Sequence, residues 1–254
     1  MTPSLIDNIT FGWLPDLPDH RDRKFVPKLT GPLPDRVDLS GRCPPIWSQG
    51  NIGSCVAHGA GRAFVVEHME RSRAGFMPSR LQLYYDSRAL QGWQKRDSGC
   101  YIRDAVKSLA KTGVGEEKLW PYETSRYATK PPQAVYDSAK GHQALEYVRI
   151  ENTNLYDIKA ALAAGNLVIF GITVYQSMMT SAVTRTGAIP MPARTEKVVG
   201  GHCMALTGYS GDIFQGHNSW GTGWGRAGAF TIPAAYLTNP DLAADFWSLR
   251  KVEV

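Results

Sequence analysis

A cysteine at the end of Gln49-Gly50-Asn51-Ile52-Gly53-Ser54-Cys55, a histidine at His202, and the asparagine of His217-Asn218-Ser219-Trp220-Gly221 have the side-chain chemistry to work together on a carbonyl. A thiolate, unlike a thiol, is a strong nucleophile. Placement on the first turn of a helix beside an imidazolium lowers a cysteine pKa from ~8.5 toward ~3.5 to 7.5. Such a thiol needs a base within hydrogen-bond reach and a third group that orients the base. His202 stands 147 residues after Cys55, preceded by Gly200 and Gly201, which leave one side of it open, and Asn218 follows in the same half of the chain. Singly, each has an ordinary explanation: an inert buried cysteine, a satisfied core histidine, a turn asparagine. Taking Cys55, His58, His202 and Cys203 as metal ligands fails for want of a second closely spaced ligand pair, so neither metal nor other cofactor is expected.

The elements that would position these residues are legible in outline. Ser54 stands as a plausible N-cap, and Val56, Ala60, Ala63 and Phe64 follow helical spacing, so a helix is expected to begin at Cys55. Gly59 and Gly61 each cost that helix about 1 kcal/mol relative to alanine, which implies a buried central helix held by packing. Two more helices are expected, one after Pro78 and one from Ile102 to a stop at Gly113. After a short helix over residues 155–164, residues 167–174, 203–209, 213–217 and 229–232 read as strands. Helices followed by strands predict an α+β architecture, a helical lobe over about 33–140 and a β-rich lobe over about 141–254.

With 254 residues, 43% hydrophobic and 20% charged, the chain has enough apolar content to bury a core without staples. Its four cysteines are too few and too dispersed for a disulfide scaffold. The net charge of +5 is scattered rather than gathered in a Lys/Arg run, which argues against nucleic acid as a partner. The longest apolar stretch, 160–174, is broken by glycine and falls short of a membrane span. The first twelve residues lack the basic start and apolar run of a secretory signal, so the expected location is cytoplasmic or exported without such a signal. A monomer is expected.

Gln49, the Gly53-Ser54-Cys55 loop, Gly200-Gly201-His202 and the run Asn218-Ser219-Trp220-Gly221-Thr222-Gly223-Trp224-Gly225 together resemble the papain-like cysteine peptidases, bacterial members especially. The resemblance implies a two-lobed papain-like fold with the cleft between a helical N-terminal lobe and a β-barrel-like C-terminal lobe. It implies Cys55 as thiolate nucleophile, His202 as its acid/base partner and Asn218 as the group orienting His202. Gln49 and the Cys55 N–H would form the oxyanion hole, and Trp220 would cover the Asn218–His202 bond. A peptide or protein substrate would pair with the backbone around Gly99 and Cys100. Tyr101, Ile102, Gly171 and Gly201 would line an apolar pocket for the side chain two residues before the cut.

Three departures from the family pattern stand out. Ile52 and Val56 occupy positions that commonly hold Cys and Trp, and Cys100 replaces a second glycine after Gly99. Cys43, Cys100 and Cys203 then have no family-dictated partner. Residues 1–32 form a proline-rich arm ahead of a peptidase domain over 33–254. Its Phe11, Trp13, Leu14 and Leu17 are costly to leave in water, so the arm is expected to lie against the body. It either lies over the cleft as an inhibitor or short propeptide, or buttresses the β-rich lobe. The rival readings for the whole chain are a papain-fold binding or effector protein with little turnover, and a transpeptidase or deamidase using the same thiolate.

Overall fold

The computed structural model describes residues 9–28, 31–72 and 75–253. Residues 1–8 and 29–30 of the arm, Pro3 among them, lie outside the described residues.

Among the described residues the helices are α1 (Cys55–Arg71), α2 (Arg80–Ala89), α3 (Ile102–Lys111), α4 (Gln133–Ala139), α5 (Leu155–Ala163), α6 (Ser181–Thr186) and α7 (Ala234–Leu237). The strands are β1 (Trp13–Leu14), β2 (Arg36–Asp38), β3 (Cys100–Tyr101), β4 (Ala144–Ile150), β5 (Val168–Tyr175), β6 (Val198–Ser210), β7 (Ile213–His217), β8 (Ala229–Pro233) and β9 (Ala243–Val252). All the expected helices and strands are present. The fold is the α+β, two-lobed papain-like one, its β lobe a mostly antiparallel sheet.

α1 begins at Cys55 and is buried from there through His68, on every side. A helix so enclosed is held by its neighbours rather than by propensity. Gly59 shows why it carries glycine: a Cβ there would stand 3.1 Å from Cys203 Sγ and 3.3 Å from Ile169 Cγ2, so the missing side chain lets α1 approach β5 and β6. Ser54 occupies the N-cap position but its side chain does not cap the helix. Its hydroxyl instead lies 2.5 Å from the Tyr122 hydroxyl.

The sheet of the β lobe runs β4-β9-β5-β6-β7-β8, with β2 paired to β6. β4 and β9, absent from the sequence reading, form one flank of it. Their alternation is poor: β9 is buried along almost its whole length, because Trp247 and Leu249 join the helical core while Phe246 joins the β-lobe core. All four cysteines are free thiols, Cys43 half-buried and the other three buried.

The arm lies against the body, as expected, and does so through both lobes. β1 pairs in parallel with β3, and Phe25 donates its N–H to Arg149 O of β4 at 2.8 Å. Leu17 differs from expectation: it is 69% exposed, because Arg103 takes its carbonyl and leaves its side chain to solvent.

Candidate active site

The loop before α1 is stitched to the segment after β7. Gln49 N–H donates to Ser219 O at 2.8 Å, and Ser219 Oγ donates to Gln49 Oε1 at 2.7 Å. Tyr122 OH donates to Gln49 O at 2.9 Å, and Gly53 N–H donates to Asp97 Oδ1 at 2.9 Å. With its oxygen occupied by Ser219, the Gln49 amide must point its Nε2 the other way. There it donates to Ile52 O and to Thr10 O, both at 2.9 Å.

His202 sits on β6 opposite Ile172 of β5. Its Nε2 is 2.7 Å from Asn218 Oδ1, which also accepts Ser219 N–H at 2.7 Å. The backbone donor fixes which amide atom is oxygen, and an oxygen can only accept, so Nε2 carries the imidazole proton. Nδ1 is thereby a lone pair; it is buried and has no hydrogen-bond partner among the described residues. Trp220 stacks on the imidazole at 4.5 Å between centroids.

Cys55 starts α1 and is fully buried. The backbone amides of Cys203, Gly12 and Val56 favour the thiolate, but less than burial disfavours it. No hydrogen bond joins Cys55 to His202. The charged thiolate expected from helix position and a neighbouring imidazolium is corrected for this conformation. Burial pushes the Cys55 thiol up to about 11 and the His202 ring down to about 4, so both are neutral near pH 7. The physical reason is desolvation: both groups are 0% exposed, with Phe11 of the arm against the His202 ring.

The arm fills the cleft. Phe11 meets the His202 ring edge-on at 6.5 Å and Trp220 at 6.4 Å, and a side chain at Gly200 would strike the Phe11 ring. Gly12 packs against Gly53 and Gly99, and its carbonyl accepts Cys100 N–H at 2.9 Å. Trp13 lies against Gly171 and Gly201, where a Cβ on either would collide with it. Ile102 and Cys100 share the core cluster of Trp13, and Tyr101 pairs with Leu14.

Of the residues singled out in the sequence, Gln49, Asn218, His202 and Trp220 form one connected group through Ser219 and the imidazole ring, while Cys55 starts α1 six residues after Gln49. Gly99, Cys100, Gly171 and Gly201 surround the arm. Sequence reasoning gave Ser219, Tyr122 and Asp97 no part in holding the Gln49 loop, and did not single out Asp245, whose carboxylate accepts Trp13 Nε1–H at 3.1 Å. Asp245 carried no signal, because its strand was not recognised.

Downstream of Trp13, three arm and body carboxylates meet two guanidiniums. Asp22 binds Arg103 at 2.6 Å, Arg149 binds Asp245 at 2.8 Å, and Asp16 accepts from Trp247 Nε1 at 2.9 Å and from Arg103 N–H at the start of α3 at 3.2 Å. Burial, and the adjacent charge of Asp245, push Asp16 up to about 7.

The sequence pattern of papain family cysteine proteases matches residues 33–240. An uncharacterized peptidase C1-like protein of Acanthamoeba polyphaga mimivirus is 37% identical over 214 residues, covering 80% of this chain and 69% of that one. Papain from Carica papaya is 25% identical over 206 residues; the match covers 79% of this chain but only 55% of that relative's length. Among solved structures, xylellain, a cysteine protease from Xylella fastidiosa, superposes with a TM-score of 0.89 at 35% identity over 96% of both chains.

Proposed function

The chain belongs to the papain family of cysteine proteases, and on that premise we propose that it hydrolyses peptide bonds through Cys55 and His202, with its own N-terminal arm holding the cleft shut. The observation that carries the catalytic reading is the His202–Asn218 bond under Trp220, because it leaves the Nδ1 lone pair free to take the Cys55 proton.

In the open enzyme water returns to the cleft, so the desolvation that keeps both groups neutral is relieved and proton transfer from Cys55 Sγ to His202 Nδ1 becomes favourable. The thiolate attacks the scissile carbonyl carbon, and the oxyanion accepts from Cys55 N–H and Gln49 Nε2–H. The imidazolium then gives its proton to the leaving amine as the C–N bond breaks, leaving a thioester on Cys55. Water, losing its proton to His202, attacks that thioester, and the carboxylate product departs as the thiol is restored. Asn218 keeps the imidazole in the tautomer this cycle needs. Gln49 is suited to its part, since Ser219 fixes the amide and the donor already holds a carbonyl, that of Thr10.

Substrate would replace the arm along Gly99 and Cys100. Its side chain two residues before the cut would enter the apolar space between Gly171 and Gly201, beside Tyr101 and Ile102. In a substrate that side chain precedes the reacting carbonyl. In the arm the pocket residue, Trp13, follows Thr10, whose carbonyl meets Gln49, so the arm runs the opposite way. An arm in this direction occupies the cleft without presenting a cleavable bond in register. The expected test result is cleavage of a peptide library by the full chain carrying Trp13→Ala and none by the same chain with Cys55→Ala. Equal cleavage by both would remove Cys55 from the reaction.

A further inference from the structure

Three thiols gather where the reaction uses one. Cys55, Cys100 and Cys203 are buried and free, and all three belong to the core cluster that holds Trp13 of the arm. Cys100 stands opposite Trp13 in the pairing of β1 with β3, and Cys203 stands opposite Gly171, the glycine against which the Trp13 indole lies. When the arm lifts, Trp13 is withdrawn from both.

Of the two spare thiols, Cys203 is tied to Cys55 at both of its ends. A Cβ at Gly59 would stand 3.1 Å from Cys203 Sγ, and Gly59 follows Cys55 by four residues of α1. Side chains four apart on a helix share a face at about 5 to 6 Å between Cβ atoms, so Cys203 Sγ lies one turn along the face that carries the Cys55 sulfur. The other end is the backbone: burial aside, the Cys203 amide is the leading influence on the Cys55 thiol and favours its charged form, which an amide does only at close range. Successive side chains of a strand leave on opposite faces, so His202 and Cys203 of β6 depart from one another, the first toward Asn218 and the second toward α1. The sulfur of Cys203 meets only one weak acceptor, Met204 O at 3.9 Å, and has no part in the reaction of Cys55 with a carbonyl.

We propose that Cys203 is a resolving thiol: when the arm is open and hydrogen peroxide enters the cleft, Cys55 and Cys203 form a disulfide that switches the nucleophile off reversibly. The inference rests on the peptidase reading for the thiolate character of Cys55 in the open enzyme. That thiolate attacks one peroxide oxygen; the O–O bond breaks, hydroxide leaves and takes the proton held on His202, and the sulfur, oxidised by two electrons, becomes a sulfenic acid. Turning the Cys203 side chain from Gly59 toward the start of the helix brings its sulfur onto that of Cys55. The S–S bond forms as the S–O bond breaks, and the hydroxyl departs with the Cys203 proton as water, so Cys203 needs no prior ionisation. Two thiols and one peroxide thus give one disulfide and two waters. A dithiol returns the two electrons by exchange. Without Cys203 the sulfenic acid meets a second peroxide and becomes a sulfinic acid, which a dithiol does not reduce.

The full chain carrying Trp13→Ala is treated with hydrogen peroxide, digested without reduction and mapped by mass spectrometry. In parallel, peptide cleavage is measured before treatment, after it, and after dithiothreitol. A peptide pair joined through Cys55 and Cys203 is expected, with activity that dithiothreitol restores. Adding Cys203→Ala should replace the joined pair by Cys55 sulfinic acid and lower the recovered share of the protein's own starting activity by about tenfold. Cys203→Ser is the second variant should the alanine protein not fold, and the unsubstituted chain, which opens transiently, is the second background at longer exposure. Cys55 found as sulfinic acid or unoxidised in the presence of Cys203, or joined to Cys100 instead, would overturn the proposal. The two readings fail separately. A Cys55–Cys203 pair in a chain that cleaves no peptide upholds the resolving thiol and rejects the peptidase mechanism; cleavage that peroxide abolishes and dithiothreitol does not restore does the reverse.

Discussion

Replacing Trp13 by alanine should turn a closed thiol into a reactive one. Cys55 is fully buried beneath Gly12 and beside the Trp13 pocket, so an alkylating reagent reaches it only when the arm lifts. The labelling rate then equals the open fraction multiplied by the rate of the open form, as for any site exposed by local opening. Trp13 is 6% exposed and donates to a buried carboxylate. Truncating a buried tryptophan to alanine costs ~3 to 5 kcal/mol, and each ~1.4 kcal/mol is a factor of ten. Applied to docking alone, that raises the open fraction by about 100-fold or more until the arm is mostly undocked. The assay is iodoacetamide labelling followed by site-resolved mass spectrometry, which reads Cys55 apart from the half-buried Cys43. The pH profile is a second readout: since both proteins are labelled only through the open form, each should show a plateau near neutral pH from the Cys55–His202 pair, at a lower rate in the full chain. Labelling of Cys55 unchanged within about twofold, in a variant whose Tm has fallen, would refute this reasoning and make the arm a buttress only.

The arm's grip should also depend on pH, since Asp16 is held at about 7 when docked against an ordinary value of 3.8. A group raised on docking favours docking most below its free value and loses that contribution as pH rises through the docked value. Cys55 labelling, normalised to Trp13→Ala, should therefore speed up from about pH 4 to 7 and level off above, and Asp16→Asn, which keeps an acceptor for Trp247 and Arg103, should flatten the trend; a flat wild-type profile would contradict it. Gln49→Ala in the Trp13→Ala background should lower kcat by about 10²- to 10³-fold with little change in KM, and a loss under threefold would remove Gln49 from the oxyanion hole. Gly171→Ala places a methyl where the Trp13 indole lies. It should speed Cys55 labelling while abolishing cleavage of peptides with a large side chain two residues before the cut; slower labelling would mean that Trp13 has another seat.

How much of this was legible in the chain follows from how local each cause is. α1 and its start at Cys55 were readable because spacing and loop residues act within a few positions, and the strand runs from Val168 to Pro233 because β-branched residues and turn signals lie side by side. The run from Asn218 to Gly225, with Gln49, Cys55 and His202, was enough to identify the family and the candidate machinery. That the arm packs on the body followed from its Phe11 and Trp13. Which surface it covers did not, because the pockets that receive it are assembled from α1, β3, β5 and β6. The same holds for the protonation states: type and helix position argue for an ion pair, but burial, which only the tertiary structure supplies, pushes the thiol up and the imidazole down here. Asp245 is the extreme case, since its aim comes from a bulge in pairing between β5 and β9, and pairing register is a property of two distant strands that no window of sequence contains.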